Sequence, residues 1–309
     1  MAADDLAGDA TPEVTLFDVQ FPDHGAPATH RITGSLTEAG AATTLAAARP
    51  DMVFHLAAVV SGEAEADFDK GWQVNMHAFW SLLEALRAQH DASGGSYRPR
   101  IVFTSSVAVF GGPYPDKIGD DFLCAPQTSY GAQKLACEMM LGDFSRKGFV
   151  DGISIRLPTI CVRPGKANRA ASSFFSGIIR EPLNGVEAIL PVSPDVRSWH
   201  ASPRSAVAFL RHSATLDTDL LEGRRALNLP GISLTVQEQI DALQEVAGTK
   251  VTALIRHQPD EVIMRIVSGW PQDFDPARAL ALGYSADKDF RSIIDAYIAD
   301  DLPGSPPKV

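Results

Sequence analysis

A tyrosine and a lysine lie four residues apart in the segment TSYGAQK, at Tyr130 and Lys134. If the segment is helical, this spacing places both side chains on the same face. An unperturbed phenol has a pKa of about 10, which is too high for a base at neutral pH, but a cation a few ångströms away favours the phenolate. The pair could therefore remove a proton from a substrate hydroxyl. Taken alone, it better fits a surface helix whose tyrosine packs and whose lysine extends along the protein.

Hydroxyl side chains lie upstream of this pair, at Thr104, Ser105 and Ser106 near the end of the apolar run IVFTSSVAVF. In an open parallel sheet, ligands bind outside the carboxyl ends of the strands, so hydroxyls at such an end face a cleft. These hydroxyls could instead cap nearby backbone groups. A serine and a Tyr-x-x-x-Lys helix at one sheet edge together predict an oxidoreductase site. In that site Ser106 holds the reacting oxygen, Tyr130 takes its proton and Lys134 lowers the pKa of the tyrosine.

The elements that must position these residues follow from the hydrophobic pattern. Four apolar runs rich in β-branched residues predict strands that are buried on both faces. These runs are Val14–Val19, Met52–Val59, Ile101–Phe110 and Ile153–Val162. Helical spacing predicts helices at Trp72–His90, Ser129–Arg146, Phe174–Arg180 and near residues 203–215, 235–247, 259–268 and 287–299. The alternation predicts an α/β fold, a doubly wound parallel sheet with helices on both faces, followed by a smaller mixed C-terminal lobe.

Composition and charge exclude several classes of protein. The chain has 309 residues, of which 45% are apolar, so it can bury a large core. Its net charge of -11 leaves no broad basic surface for nucleic acid or anionic lipid. The three cysteines form no Cys-x-x-Cys pair, which argues against a disulfide framework and a cysteine zinc site. Without a signal peptide or a long apolar stretch, we expect a cytoplasmic protein that binds a small molecule, not nucleic acid, membrane or metal.

Several of these segments resemble a known family. Ser106, the segment from Tyr130 to Lys134, HLAA at residues 55–58 and Asn75 resemble the extended short-chain dehydrogenase/reductase family, also called the NAD-dependent epimerase/dehydratase family. Within it, the longer strings VFTSSVAVFGGP, PQTSYGAQK and GWPQDFDPARALALGY resemble the D-erythronate dehydrogenases, which oxidise a four-carbon sugar acid with NAD. The resemblance spans nearly the whole chain. It implies an NAD-binding domain at residues 1–156 and a mainly substrate-binding lobe at 157–309, some segments of which return to the first domain.

The resemblance also implies which residues bind NAD. Asp18 ends the strand VTLFD, where the family places an acidic residue on the adenosine ribose; a carboxylate there repels a 2′-phosphate and selects NAD over NADP. The same aspartate could simply begin a turn. Asn75 is either a satisfied core amide or an amide beside the cofactor. The other expected cofactor residues are Ala57, Tyr130, Lys134, Leu157 and Pro158.

A sugar acid carries a carboxylate, so its pocket requires a cation or a cluster of donors, and arginine suits this task because it binds a carboxylate through two parallel bonds. Arg197 matches a position where family members place a substrate-contacting arginine. Each candidate also suits ordinary surface chemistry, and His55 and His200 are left out because a histidine in an apolar strand is more often a core residue. The further substrate candidates are Ser61, Ser106, Thr159, Arg163, Ser172 and Ser173.

One family feature has no match in this sequence. The family begins with a strand and a Gly-x-x-Gly-x-x-Gly turn that admits the pyrophosphate to a helix N-terminus, whereas the first strand predicted here, from Val14, corresponds to the family's second. We therefore expect a sheet that lacks its central first strand and is open at that point. Either the start codon is assigned too far downstream, or the chain is shortened and binds NAD poorly. The intact downstream motifs favour the first explanation.

The resemblance implies NAD-dependent oxidation of the hydroxyl next to the carboxylate of a D-erythronate-like acid, giving a 2-keto acid. A nucleotide-sugar epimerase or dehydratase shares the same serine, tyrosine and lysine and is the alternative enzyme. A non-catalytic NAD-sensing or interaction protein is the alternative outside enzymes, favoured by the missing Gly-rich turn. A homodimer through the helices at residues 72–90 and 129–146 is a further expectation at the family level.

Overall fold

The structure is a computed structural model that describes residues 12–21, 28–165 and 171–302. Its strands are β1 (Thr15–Asp18), β2 (His30–Thr33), β3 (Met52–His55), β4 (Arg100–Ser106), β5 (Asp151–Leu157), β6 (Thr159–Ile160), β7 (Ala188–Leu190), β8 (Arg197–Ala201), β9 (Ala226–Asn228), β10 (Ile232–Thr235) and β11 (Ile255–His257). Its helices are α1 (Ala41–Ala47), α2 (Ser61–Ala66), α3 (Phe68–Trp72), α4 (Ala78–Ala92), α5 (Ser129–Arg146), α6 (Ser173–Leu183), α7 (Pro203–Thr215), α8 (Val236–Ala247), α9 (Thr249–Thr252), α10 (Glu261–Ser268), α11 (Ala277–Ala281) and α12 (Phe290–Asp300). A π-helical turn, Gln73–His77, joins α3 to α4, and 3-10 turns lie at Val107–Val109 and Thr218–Leu221.

The main sheet is parallel, with the strand order β3-β4-β5-β9. Successive residues of β4 point to opposite faces, as the pleat requires. Ile101 packs with Leu83 of α4 and Leu141 of α5. Its neighbour Val102 packs with Phe209 of α7 on the other face. Helices therefore cover both faces of the sheet, which confirms the predicted α/β fold.

Strands β1 and β2 form a parallel pair of their own. Within the described residues, no ladder bonds join this pair to β3, in agreement with the expected opening of the sheet. All four residues of β2 are exposed, and β1 is exposed at both ends. The prediction that Val14–Val19 is buried on both faces is therefore wrong, because a strand is covered only where neighbours and helices pack on it. Val19 and Leu56 keep 67% and 54% of their surface exposed.

The predicted helix Trp72–His90 is divided into α3, the π-helical turn and α4. Phe79, Leu83 and Leu86 are fully buried, so this part of the apolar stripe packs on the sheet. A π turn adds one residue to a helical turn and often lies at a functional position. Here it contains Asn75.

The smaller lobe is built from the three-stranded sheet β10-β8-β6, the pair β11-β7, and α6, α8 and α12. Its core includes Phe175, Ile178, Leu243 and Ile293, all buried. The chain then returns to the first domain, since β9 pairs with β5 and α7 covers β4. The domain boundary at residue 156 stays a prediction. None of the described helices is both long enough and apolar enough to cross a bilayer.

Candidate active site

Ser106 is the last residue of β4, at the carboxyl edge of the main sheet. Its Oγ accepts a hydrogen bond of 3.1 Å from the backbone N–H of Ala108, which lies in the following 3-10 turn. The serine is half-buried. Because Oγ accepts from the backbone, its own proton remains available for an oxygen placed in the cleft.

Tyr130 reaches the same edge because α5 begins there. The side chain of Thr128 caps the helix by accepting a 3.1 Å bond from the N–H of Gly131, which confirms the predicted start. Gly131 packs directly on the 3-10 turn, and a Cβ atom added to it would lie 2.1 Å from the carbonyl oxygen of Ala108. This contact places Tyr130 beside the segment that follows Ser106.

Lys134 lies one turn further along α5 and is only 2% exposed. Its Nζ donates to the carbonyl oxygen of Thr104 at 2.9 Å and lies 5.6 Å from the ring centroid of Tyr130. Burial lowers the pKa of Lys134 to about 8. An ammonium has three donors, and Thr104 is the sole acceptor for Lys134 among the described residues. Two buried donors are therefore left for another molecule.

The electrostatics of Tyr130 differ from the sequence prediction. Burial raises the pKa of Tyr130 to about 12, and the cation that opposes this effect is Arg163. The prediction that Lys134 brings the pKa of the tyrosine below its ordinary value is wrong in this structure. The physical reason is that desolvation of the phenolate dominates and the ammonium is bonded to the carbonyl of Thr104.

A buried ion pair, Glu138 with Arg156, lies between α5 and the main sheet and was missed in the sequence analysis. The carboxylate of Glu138 accepts bonds from Ser105 Oγ at 2.5 Å and from Arg156 Nη2 at 2.7 Å. Arg156 also donates to the side-chain oxygen of Asn228 at 3.1 Å. These contacts tie α5 to β4, β5 and β9. The signal was in the sequence, because an arginine inside the apolar run ISIRLP requires a buried partner, and Glu138 is on the same helix face as Lys134.

Asn75 is 1% exposed and all its polar atoms are used. Its Oδ1 accepts from the N–H of Val59 at 2.8 Å, and its Nδ2 donates to the carbonyl of Val59 at 3.2 Å and to Gln133 Oε1 at 2.7 Å. The amide thus fixes the loop after β3 to α5. That loop contains Ala57, which is exposed at the carboxyl end of β3.

The other expected cofactor residues lie at strand ends. Asp18 is exposed at the end of β1, and its carboxylate accepts a long bond of 3.4 Å from the N–H of Gln20, so it also begins a turn. Leu157 ends β5 beside Ser106, its partner in the ladder, and the buried Pro158 follows.

The expected substrate residues do not all lie in one place. Ser61 is half-buried at the start of α2, which contacts α5 because Glu65 accepts a 3.0 Å bond from the N–H of Ser129. Thr159 in β6 is half-buried beside His200 of β8. Ser173 begins α6 and lines a cavity of about 370 Å³ between α6 and α10. Ser172 lies next to Arg163.

The two arginines differ in their surroundings. Arg163 Nη2 donates to Ser172 Oγ at 3.4 Å, and burial lowers the pKa of Arg163. Arg197 Nη2 lies 3.4 Å from a carboxylate oxygen of Glu238, and its Nη1 donates to the carbonyl of Ser233 at 3.2 Å. Arg197 is three residues before His200 in β8, which is about 10 Å along an extended strand. The charge of Arg163 therefore acts on Tyr130, whereas Arg197 is paired with Glu238.

The chemistry of two described residues suits a nicotinamide dinucleotide. Lys134 offers two buried donors for ribose hydroxyls, and Asp18 offers an exposed carboxylate that can accept hydrogen bonds. The Gly-rich turn that would bind the pyrophosphate has no counterpart in this sequence.

The chain was compared with known proteins and structures. Its sequence matches the NAD dependent epimerase/dehydratase family over residues 8–200. A D-erythronate dehydrogenase of Cupriavidus necator is 47% identical over 292 residues, which cover 94% of this chain and 88% of that protein. A D-erythronate dehydrogenase of Haemophilus influenzae is 44% identical over 252 residues, which cover 82% of this chain and 78% of that protein.

A solved structure resembles the chain over nearly its whole length. It is described as a nucleoside-diphosphate-sugar epimerase from Agrobacterium tumefaciens and has a TM-score of 0.91 at 52% identity, covering 97% of this chain and 88% of that chain. Because the family match spans more than half of its length, this chain belongs to the NAD-dependent epimerase/dehydratase family.

Proposed function

We propose that this chain is an NAD-dependent dehydrogenase that oxidises the hydroxyl next to the carboxylate of a four-carbon sugar acid such as D-erythronate. The relatives that are 44% and 47% identical and are named D-erythronate dehydrogenases support the substrate. The observation that carries the chemistry is the placement of Tyr130 and the buried Lys134 at the sheet edge beside Ser106.

The reaction follows from the hydrogen-bonding capacity of these side chains. Tyr130 Oη takes the proton of the substrate hydroxyl, while Ser106 Oγ donates a hydrogen bond to the same oxygen. Lys134 would hold the nicotinamide ribose with the two donors that have no acceptor among the described residues. Bound NAD would supply the hydride acceptor for the substrate carbon and a positive nicotinamide ring, whose charge would favour the phenolate of Tyr130. The organic product is a 2-keto sugar acid.

The remaining cofactor contacts are proposed from position. Asp18, at the end of β1, accepts hydrogen bonds from the adenosine ribose and disfavours the 2′-phosphate of NADP. Ala57, Leu157 and Pro158 line the cofactor with backbone, and Asn75 acts on it through the loop that it fixes at Val59.

A second candidate is a nucleotide-sugar epimerase, because the 52% identical solved structure is described as one. The same tyrosine and lysine would serve that reaction, in which the hydride returns to the sugar. The two activities differ in their net product, since a dehydrogenase accumulates NADH and an epimerase does not.

Product analysis separates these functions. The purified chain is incubated with NAD and D-erythronate, and separately with NADP and D-erythronate or with NAD and a UDP-sugar. We expect NADH and a 2-keto acid only with NAD and D-erythronate. Conversion of the UDP-sugar without net NADH would establish the epimerase instead. NAD binding without turnover of either substrate would favour a non-catalytic NAD-binding protein.

We also propose that the chain works in the cytoplasm as a homodimer through α4 and α5. Large apolar side chains support this surface, because Trp80 of α4 and Met139 of α5 keep 42% and 61% of their surface exposed. Light scattering should give the dimer mass for the wild type and the monomer mass for Met139→Glu. A monomeric wild type would refute this assembly.

A further inference from the structure

We infer that Arg163, and not Arg197, receives the carboxylate of the substrate and thereby orients the neighbouring hydroxyl towards Tyr130. This inference rests on the proposed function and names the specificity-determining residue of the same site.

Arg163 carries a charge that the described protein does not neutralise. None of the ion pairs among residues 12–21, 28–165 and 171–302 includes it. The neighbouring cation Arg180 is paired with Glu181 at 2.5 Å, so one positive charge of this group is left over. Residues 166–170 of the adjacent sequence, KANRA, contain no acid. A partly buried guanidinium without a counter-ion is costly to the protein, and a bound anion would compensate for that cost.

The backbone of Arg163 is held firmly by α6. Its N–H donates to Ser176 Oγ at 3.0 Å, and its carbonyl accepts from Arg180 Nη1 at 2.8 Å. Among the described residues, the guanidinium itself makes a single hydrogen bond, the 3.4 Å bond to Ser172. Most of its five donors therefore remain for a ligand, and two of them match the two oxygens of a carboxylate.

The position of Arg163 matches the reaction. Arg163 follows β6, which begins two residues after Leu157, the ladder partner of Ser106. The charge of Arg163 acts on the phenol of Tyr130, so the guanidinium lies near the tyrosine. A carboxylate and the hydroxyl on the next carbon are neighbours in the substrate. An arginine that binds the carboxylate would place the adjacent hydroxyl against Tyr130 and Ser106. Arg197 differs because Glu238 already supplies its counter-charge and Ser233 accepts one of its hydrogen bonds.

The test compares three variants with the wild type in binding and in turnover. The variants are Arg163→Gln, Arg163→Lys and the matched control Arg197→Gln. Calorimetric titration uses D-erythronate and, as a neutral probe of the same carbon length, erythritol, with NADH present so that no oxidation occurs. The Michaelis constants for D-erythronate and NAD are measured separately.

For Arg163→Gln we expect the affinity for D-erythronate to fall by at least about 30-fold, as for loss of one partner of a hydrogen-bonded charge pair. The KM for NAD and the weak binding of erythritol should not change. Arg163→Lys keeps the charge but loses the two parallel donors of the guanidinium, so its affinity for D-erythronate should lie between those of Arg163→Gln and the wild type. This variant also provides the test if Arg163→Gln folds poorly. The affinity of Arg197→Gln for D-erythronate should remain within about threefold of that of the wild type.

Wild-type affinity for D-erythronate in Arg163→Gln or in Arg163→Lys, or a large loss in Arg197→Gln, would overturn the inference while the proposed function stands. A wild type that neither binds nor oxidises D-erythronate would overturn both.

Discussion

At the scale of single residues, the buried histidine His55 affects how the stability of this protein depends on pH. His55, at the end of β3, is 4% exposed and packs on the rings of Phe79 and Phe103, with centroids 4.5 Å and 5.7 Å away. Neither ring nitrogen has a hydrogen-bond partner in the described part of the chain. Burial lowers the pKa of His55 to about 3, with a further contribution from the charge of Lys134. The histidine is a neutral core residue, as its place in an apolar strand suggested, but among the described residues its ring lacks the hydrogen bonds expected of a satisfied core histidine.

This burial predicts an acid-sensitive stability. The folded pKa is about 3, whereas an unfolded histidine titrates near its ordinary value of 6.5, so between these values the unfolded state binds the additional proton. Stability is therefore complete above pH 6.5 and falls as the pH decreases towards 3. Between pH 7 and pH 5, His55 alone should lower the free energy of unfolding by about 2 kcal/mol.

Urea unfolding at pH 7 and pH 5 measures this effect. His55→Leu should lose about 2 kcal/mol less than the wild type over this interval. His77→Ala is the control, because the ring of His77 is exposed in the folded protein as well. If His55→Leu and the wild type lose stability equally, His55 is not a neutral buried residue.

At the scale of elements, the contact between α5 and the 3-10 turn after β4 positions the site. Alanine is normally favoured over glycine inside a helix by about 0.5–1 kcal/mol. At Gly131 the added Cβ would lie 2.1 Å from the oxygen of Ala108, so steric overlap outweighs this preference. Gly131→Ala should therefore reduce the free energy of unfolding by about 1–3 kcal/mol and lower turnover, because α5 must move away from Ser106.

Gly142 provides the matched control in the same helix. A Cβ atom at Gly142 would meet nothing within 4 Å, so Gly142→Ala should stabilise the protein by about 0.5–1 kcal/mol and leave turnover unchanged. Thermal unfolding and initial rates of both variants check the prediction. A Gly131→Ala variant as stable and as active as Gly142→Ala would contradict the proposed packing.

Local signals explain which elements the sequence predicts well. Both bounds of α5 match the prediction, because Thr128 caps its start and the apolar positions repeat at helical spacing. The division of the helix before α4 was not predicted, since the π turn at Asn75 depends on bonds to Val59 and Gln133, which are distant in sequence. In the same way, the approach of Arg163 to Tyr130 depends on tertiary packing. The sequence therefore predicted both residues as candidates but not that they lie close together.

At the scale of the whole molecule, the main sheet and the β1-β2 pair differ in how well they are covered. The composition of the run Val14–Val19 could not reveal the exposure of β1, because burial depends on the neighbours of a strand. Strands β4 and β5 have helices on both faces, whereas β2 is exposed throughout and β1 is only partly covered. Local opening costs less free energy where fewer apolar contacts are lost.

Native-state hydrogen exchange should therefore differ between the β1-β2 pair and the main sheet. We expect amide hydrogens of residues 15–18 and 30–33 to exchange much faster than those of residues 100–106 and 151–157. Mass spectrometry of peptides covering these four segments measures the difference. Equal protection of both groups would mean that β1 and β2 are covered in solution.

The central claim is that Tyr130 takes the proton of a sugar-acid hydroxyl while the hydride passes to NAD. The most direct measurement is the rate of NADH formation from D-erythronate and NAD by the wild type and by Tyr130→Phe, with the folded state of each checked by thermal unfolding. We predict NADH formation by the wild type and its loss in Tyr130→Phe without loss of folding. Wild-type turnover by a folded Tyr130→Phe variant would contradict the claim.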